Sequence, residues 1–257
     1  MIFSAHGVSP TVVKASQQRQ HQVIDATCPL VTKVHGEALR YAKQGFQIIL
    51  IGHRDHVEVQ GTVGEAPEQI IVVSDVQDVA KLQLHDEEKV AYITQTTLSL
   101  DDTKEIIDAL KERFPAIQAP AKGDICYATQ NRQNAVKQLA QEADLVLVVG
   151  APNSSNTVRL VEVAQASGAS AKLLESASEL KEEWFHGIST IGITAGASAP
   201  EDIVQGIVKA LKDLAQGSQI RELKLVDENV TFALPPLLRG VHGEHASHNY
   251  KDQTTPS

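Results

Sequence analysis

Two cysteines, Cys28 and Cys126, open two versions of one pattern, and this duplication constrains the fold more than any other feature of the chain. Each cysteine starts a helical run, and each is followed 24 positions later by a glycine, Gly52 or Gly150, that ends an apolar strand. A polar loop follows each glycine: His53-Arg54-Asp55-His56-Val57-Glu58 in the first version, Asn153-Ser154-Ser155-Asn156 in the second. Both versions then reach a strand with a small, hydroxyl-rich end, Tyr92-Ile93-Thr94-Gln95-Thr96-Thr97-Leu98-Ser99 and Ile191-Gly192-Ile193-Thr194-Ala195-Gly196-Ala197-Ser198. The chain reads as an internal duplication with a period near one hundred residues.

The N-terminus fits the same scheme. Ile2-Phe3-Ser4-Ala5-His6-Gly7-Val8-Ser9-Pro10 has the form of those later strand ends, an apolar pair followed by small polar residues and a helix start. It reads as the end of an earlier copy, with a third repeat and its own cysteine expected upstream of Met1; an ordinary N-terminal strand is the alternative on spacing alone. The expected division is 1–25 as the remnant of a first α/β domain, 26–122 as a second, 123–214 as a third, and 215–257 as a C-terminal segment with a disordered tail.

Periodicity predicts strands at 23–27, 46–51, 70–73, 90–94, 145–149, 171–174 and 188–194. It predicts helices at 11–22, 30–44, 76–82, 131–143, 157–167, 177–185 and 200–214, and one opened by the cap Ser99-Leu100-Asp101-Asp102 that runs to Arg113. Residues 53–58 read as loop. This alternation implies an α/β fold of repeated parallel sheets covered by helices. After Pro235-Pro236 the chain breaks, and the tail with His242, His245 and His248 reads as solvated rather than metal-holding.

Composition excludes several classes. A net charge of -9 argues against a general nucleic-acid binder. With 42% hydrophobic and 21% charged residues the chain is globular, and no apolar run approaches the roughly eighteen residues a membrane span needs. Nothing resembles a secretion signal, so a cytoplasmic or plastid-like location is expected. Two cysteines so far apart suggest buried thiols or metal ligands rather than a disulfide.

In parallel sheets ligands bind beyond the carboxyl ends of the strands, where every distinctive loop here lies. Cys28 precedes Pro29 at a strand-to-helix junction, where the helix N-terminus favours an anionic side chain. Ser154, Ser155, Asn156, Thr96, Thr97 and Ser198 would offer donors to a phosphate or diphosphate, although Ser and Thr also cap helices routinely. His53, His56 and Glu58 could bind an anion and pass a proton within one pocket, although a lone histidine in such a loop is more often structural. For a metal the residues leave two options: zinc on Cys28, Cys126 and two of these histidines, or an iron–sulfur cluster facing thiolates from several loops.

Together with Val23-Ile24-Asp25-Ala26-Thr27-Cys28-Pro29, Ile51-Gly52-His53, Ile125-Cys126-Tyr127-Ala128-Thr129 and Thr194-Ala195-Gly196-Ala197-Ser198-Ala199-Pro200, these motifs resemble those of 4-hydroxy-3-methylbut-2-enyl diphosphate reductases over residues 2–214. The resemblance implies a trefoil of α/β domains around a 4Fe-4S cluster, and reductive dehydroxylation of the allylic diphosphate to isopentenyl and dimethylallyl diphosphate in the non-mevalonate pathway. By it Cys28 and Cys126 would be metal ligands, with a third cysteine upstream of Met1. His6, His56, Thr96, Ser154, Ser155, Asn156 and Ser198 would bind substrate, and Glu58 and Thr96 would be catalytic. A ferredoxin or flavodoxin would donate electrons. Two departures stand out: Val57 occupies a position where the family usually has proline, and the sequence past Pro236 has no counterpart. The alternative implied class is a non-catalytic fragment that keeps the diphosphate-binding loops.

Overall fold

A computed structural model describes residues 1–215, 217–235 and 238. Three parallel sheets follow one another along the chain. The first pairs β1 (Ile2–Phe3) with β2 (Ile24–Asp25), linked by α1 (Pro10–Gln18). The second comprises β3 (Gln47–Ile51), β4 (Ile70–Val73) and β5 (Val90–Thr94) in the order β4-β3-β5, with α2 (Pro29–Lys43), α3 (Val57–Val63), α4 (Val76–Lys81) and α5 (Leu100–Arg113). The third comprises β6 (Leu145–Val149), β7 (Ser170–Leu174) and β8 (Ile191–Ala195) in the order β7-β6-β8, with α6 (Tyr127–Glu142), α7 (Ser155–Ala166) and α8 (Glu201–Leu214). The two larger sheets thus share one topology, each laying its first strand in the middle.

Both middle strands are continuous apolar runs because both faces are covered. Ile48 and Leu50 pack under Val34, Ala38 and Tyr41 of α2 and Val59 of α3, while Ile49 and Ile51 face Ile106, Leu110 and Phe114. Val146 and Val148 meet Val136 and Leu160, and the opposite face of β6 packs on Ile207 of α8. Each such fully buried side chain contributes about 1.5–3 kcal/mol. Glycine ends both strands for a steric reason. A Cβ on Gly52 would lie 2.7 Å from Val59 Cγ2, and one on Gly150 (φ +147°) would lie 2.7 Å from Thr157 Oγ1.

The extended segment that precedes each cysteine pairs with a strand earlier in the chain, as β2 on β1 in the first case and as a single bridge at Gln118 in the second. Ile24, Ala26 and Cys28 donate their amides to the carbonyls of Met1, Phe3 and Ala5 along β1. Gln118 does the same on β5, donating to Val90 and accepting from Tyr92.

Several predicted elements change. Residues 57–63 are helical, so Glu58 sits in the first turn of α3 and not in a loop. Val57, Val59, Gly61, Thr62 and Val63 are weak helix formers, and the turn is held by packing of Val59 and by the His56 cap. α6 starts at Tyr127, immediately after Cys126, rather than at 131, and α1 ends at Gln18 rather than at 22. The helix expected at 177–185 is two short 3₁₀ turns, Ala177–Glu179 and Glu182–Phe185, separated by extended backbone at Leu180 and Lys181. The last strand begins at Ile191, not at 188. The histidine-bearing tail lies outside the described residues. Among those described, no helix is long and apolar enough to cross a membrane.

Candidate functional site

Glu58 is the most deeply buried of the candidate site residues. It is 2% exposed, and its carboxylate accepts two hydrogen bonds from one residue: the Thr96 amide at 2.6 Å and the Thr96 hydroxyl at 3.0 Å. Burial raises its pKa most strongly; the two Thr96 bonds oppose the rise and the nearby Asp124 charge adds to it. A buried acid inclined to hold a proton beside an orienting hydroxyl is equipped for proton transfer.

His56 caps α3: its Nδ1 accepts from the Glu58 amide at 3.2 Å, which leaves the proton of the neutral ring on Nε2. Its ring stands edge-on to His6, centroids 5.4 Å apart. Desolvation lowers the His56 pKa, helped by the positive charge that His6 and His53 would carry. His53 is exposed, and its pKa is lowered by desolvation and by Arg159.

Thr96 lies on a loop fastened at several points. Its carbonyl accepts from the Cys126 amide at 3.0 Å, so the acid's partner and the thiol share one junction. The neighbouring Gln95, fully buried, accepts from the His53 amide and donates to Thr97 Oγ1, which in turn lies 3.3 Å from Ser155 Oγ. Gln95 was not singled out from the sequence. Its alignment with Gly196 in the second large repeat marks it as the bulkier partner at a tight junction.

In the second large repeat, Ser154 caps α7 by accepting from the Thr157 amide, which is the ordinary structural task of such a residue. Asn156 occupies the position equivalent to Glu58, 98 residues on. It is 5% exposed, and neither of its amide atoms has a hydrogen-bond partner among the described residues. The repeat explains why. Counted back from the caps Ser99 and Pro200, Thr96 corresponds to Ala197, which has no hydroxyl to offer. A buried amide with its donor and acceptor both unspent is costly unless a ligand takes them. Ser198 lies exposed beyond β8.

Cys28 and Cys126 are half-buried free thiols at equivalent positions, each the N-cap of a helix and neither spending its sulfur on capping. Burial raises the pKa of the Tyr127 hydroxyl most strongly, followed by the charges of Glu228, Cys126 and Cys28. Among the described residues no group of three or more His, Cys, Asp or Glu could hold a metal, so the zinc set with His53 and His56 does not assemble. Thiols at two helix N-termini, with no histidine grouped beside them among the described residues, are of the donor type that an iron–sulfur cluster takes.

Behind the cysteines, Lys33 of α2 reaches across to the 122–124 segment, bonding Asp124 at 2.8 Å and the Lys122 carbonyl at 2.6 Å, while Asp124 accepts from the Thr94 amide. Lys33 and Asp124 were given no role from the sequence.

The family model of the LytB protein matches residues 1–212. The 4-hydroxy-3-methylbut-2-enyl diphosphate reductase of Ectopseudomonas mendocina is 54% identical over 93% of this chain and 77% of its own length; that of Streptomyces avermitilis is 52% identical over 93% and 71%. The structure of the E-1-hydroxy-2-methyl-but-2-enyl-4-diphosphate reductase from Plasmodium falciparum superposes with a TM-score of 0.89 at 40% identity, covering 93% of this chain and 75% of that one. Matched over nearly its whole described length in sequence and in fold, the chain belongs to the LytB family.

Proposed function

We propose that the chain reduces 4-hydroxy-3-methylbut-2-enyl diphosphate to isopentenyl and dimethylallyl diphosphate, as the names of its relatives suggest, in the cytoplasm with a ferredoxin or flavodoxin as electron donor. The observation that carries the reading is the shared junction of Glu58, Thr96 and Cys126, which puts an acid, a hydroxyl donor and a thiol at one strand end. The net change consumes two electrons and two protons. A C–O bond breaks, the hydroxyl leaves as water, and a C–H bond forms.

Cys28 and Cys126 would hold a 4Fe-4S cluster, which would supply the electrons and a Lewis-acidic iron for the substrate hydroxyl. Thr96 orients that hydroxyl, since its own side chain is fixed by Glu58. Glu58 delivers a proton to the leaving oxygen, a task suited to a carboxyl whose protonated form burial favours. The diphosphate takes the unspent amide of Asn156, the hydroxyls of Ser154, Ser155 and Ser198, and the Nε2–H of His56, with His6 beside it.

The test is anaerobic reconstitution with iron and sulfide, followed by turnover with a chemical reductant. Visible cluster absorbance and release of the two diphosphate products support the reading. Diphosphate binding without either would favour a non-catalytic remnant.

A further inference from the structure

The two cysteine helices carry more than thiols. Seven positions after each cysteine, on the face that its N-cap begins, stands a buried polar side chain: His35 on α2 and Gln133 on α6. Gln133 is 1% exposed and spends both ends of its amide on one loop. Its Nε2 donates to the Leu98 carbonyl at 2.7 Å, and its Oε1 accepts from the Leu100 amide at 3.0 Å, bracketing Ser99. The same loop is already fixed at its other end by the Cys126 amide on the Thr96 carbonyl. The first copy repeats the arrangement with different chemistry. The Cys28 amide holds the Ala5 carbonyl, and the His35 ring, paired with Glu65 at 2.8 Å, backs Gly7 so closely that a Cβ there would lie 3.2 Å from Cε1 and Nε2. Gly7 also has φ +75°, so the turn carrying His6 is shaped by what stands behind it.

α6 therefore grips its ligand loop at two points, the Cys126 amide and Gln133 two turns below it, whereas α2 bonds its loop through the Cys28 amide and backs it with the His35 ring, whose Nε2 has no hydrogen-bond partner among the described residues. We infer that Gln133 and His35 are positioning residues that set the distance between each thiol and the ligand loop it faces, the 96–99 loop for Cys126 and the His6 turn for Cys28. The inference rests on the diphosphate-reductase reading for what the loops bind, but the clamp itself does not depend on it.

The 257-residue chain is compared with Gln133→Leu, which removes both hydrogen bonds, and Gln133→Glu, which keeps the shape and the acceptor but loses the donor to Leu98. Three quantities are read: hydrogen exchange at the amides of residues 97–100, the dissociation constant for inorganic diphosphate well below the melting temperature, and the melting temperature itself. The clamp predicts that loop amides exchange at least tenfold faster while those of β6 keep their protection, and that the folded variants, with the Thr97 hydroxyl no longer held against the diphosphate residue Ser155, bind diphosphate on the order of tenfold more weakly. Should Gln133→Leu fail to fold, Gln133→Glu decides on the same criteria. A role in stability alone would lower the melting temperature and leave the dissociation constant and loop exchange of the folded variants within twofold of the parent, and that result overturns the inference. If the parent itself binds no diphosphate, the functional reading falls, and loop exchange alone then decides the clamp.

Discussion

Glu58 and Thr96, 38 residues apart in sequence, are joined twice: the amide and the hydroxyl of Thr96 both donate to the one buried carboxylate. In Glu58→Gln the amide oxygen can keep the backbone bond and the new NH₂ can donate to a rotated Thr96 hydroxyl, so the geometry survives and only the transferable proton is lost. Turnover of the reconstituted enzyme should fall by about 10²–10⁴ with cluster absorbance and diphosphate affinity near the parent's. Turnover within threefold of the parent would remove Glu58 from proton delivery.

Asn156 offers the opposite balance, because its amide is buried with no hydrogen-bond partner among the described residues. Asn156→Ala should leave the melting temperature unchanged or raise it, since an unsatisfied polar group is removed at the cost of a small void. Affinity for diphosphate should fall by about tenfold or more. A large loss of stability with unchanged affinity would show that Asn156 serves the fold instead.

Glu37, on α2 beside Lys33 and Asp124, gives a pH signature. Burial, and then the Asp124 charge and hydrogen bond, raise its pKa from 4.5 to about 7, while Lys33 and Arg40 oppose the rise. Between those values the folded state binds more protons at this site than the unfolded chain, so the contribution of Glu37 to stability is present below pH 4.5 and is lost as pH climbs toward 7. Calorimetry from pH 4.5 to 8 should show Glu37→Gln falling less steeply than the parent; parallel curves would refute the assignment.

Cys28→Ser and Cys126→Ser should each fold, because the structural bond at both positions comes from the backbone amide and not from sulfur. Each should lose the visible absorbance of a reconstituted cluster, since a hydroxyl is a poor iron ligand beside a thiolate. Retained absorbance in either variant would exclude that cysteine as a ligand.

Much of this architecture was legible before any coordinates. The β-branched runs that end at Gly52 and Gly150 announce buried strands, and Ser99 followed by Asp101 and Asp102 announces α5, whose cap is the Ser99 hydroxyl on the Asp102 amide. What escaped is what tertiary packing imposes. α3 forms from residues with weak intrinsic preference for helix, and Trp184 and Phe185 gave the 177–185 segment an apolar spacing that its extended Leu180 and Lys181 do not honour. The site was partly legible in the same way. The residue types at the strand ends stood out, but the Glu58–Thr96 pairing, the Gln95 bridge and the Gln133 clamp join positions tens of residues apart. Only the alignment of repeat upon repeat could have suggested them.

The pairing of each cysteine's leading segment with an earlier strand also governs how the molecule comes apart. A self-contained repeat could melt alone and leave its neighbour native. Here, opening the β5 sheet also strips Gln118, and with it the anchor of the segment that presents Cys126, while loss of β1 frees the approach to Cys28. The repeats are interlocked along the backbone as well as packed side by side. The expected behaviour is coupled unfolding, in which opening the β5 sheet loosens the segment before Cys126 and with it the thiol.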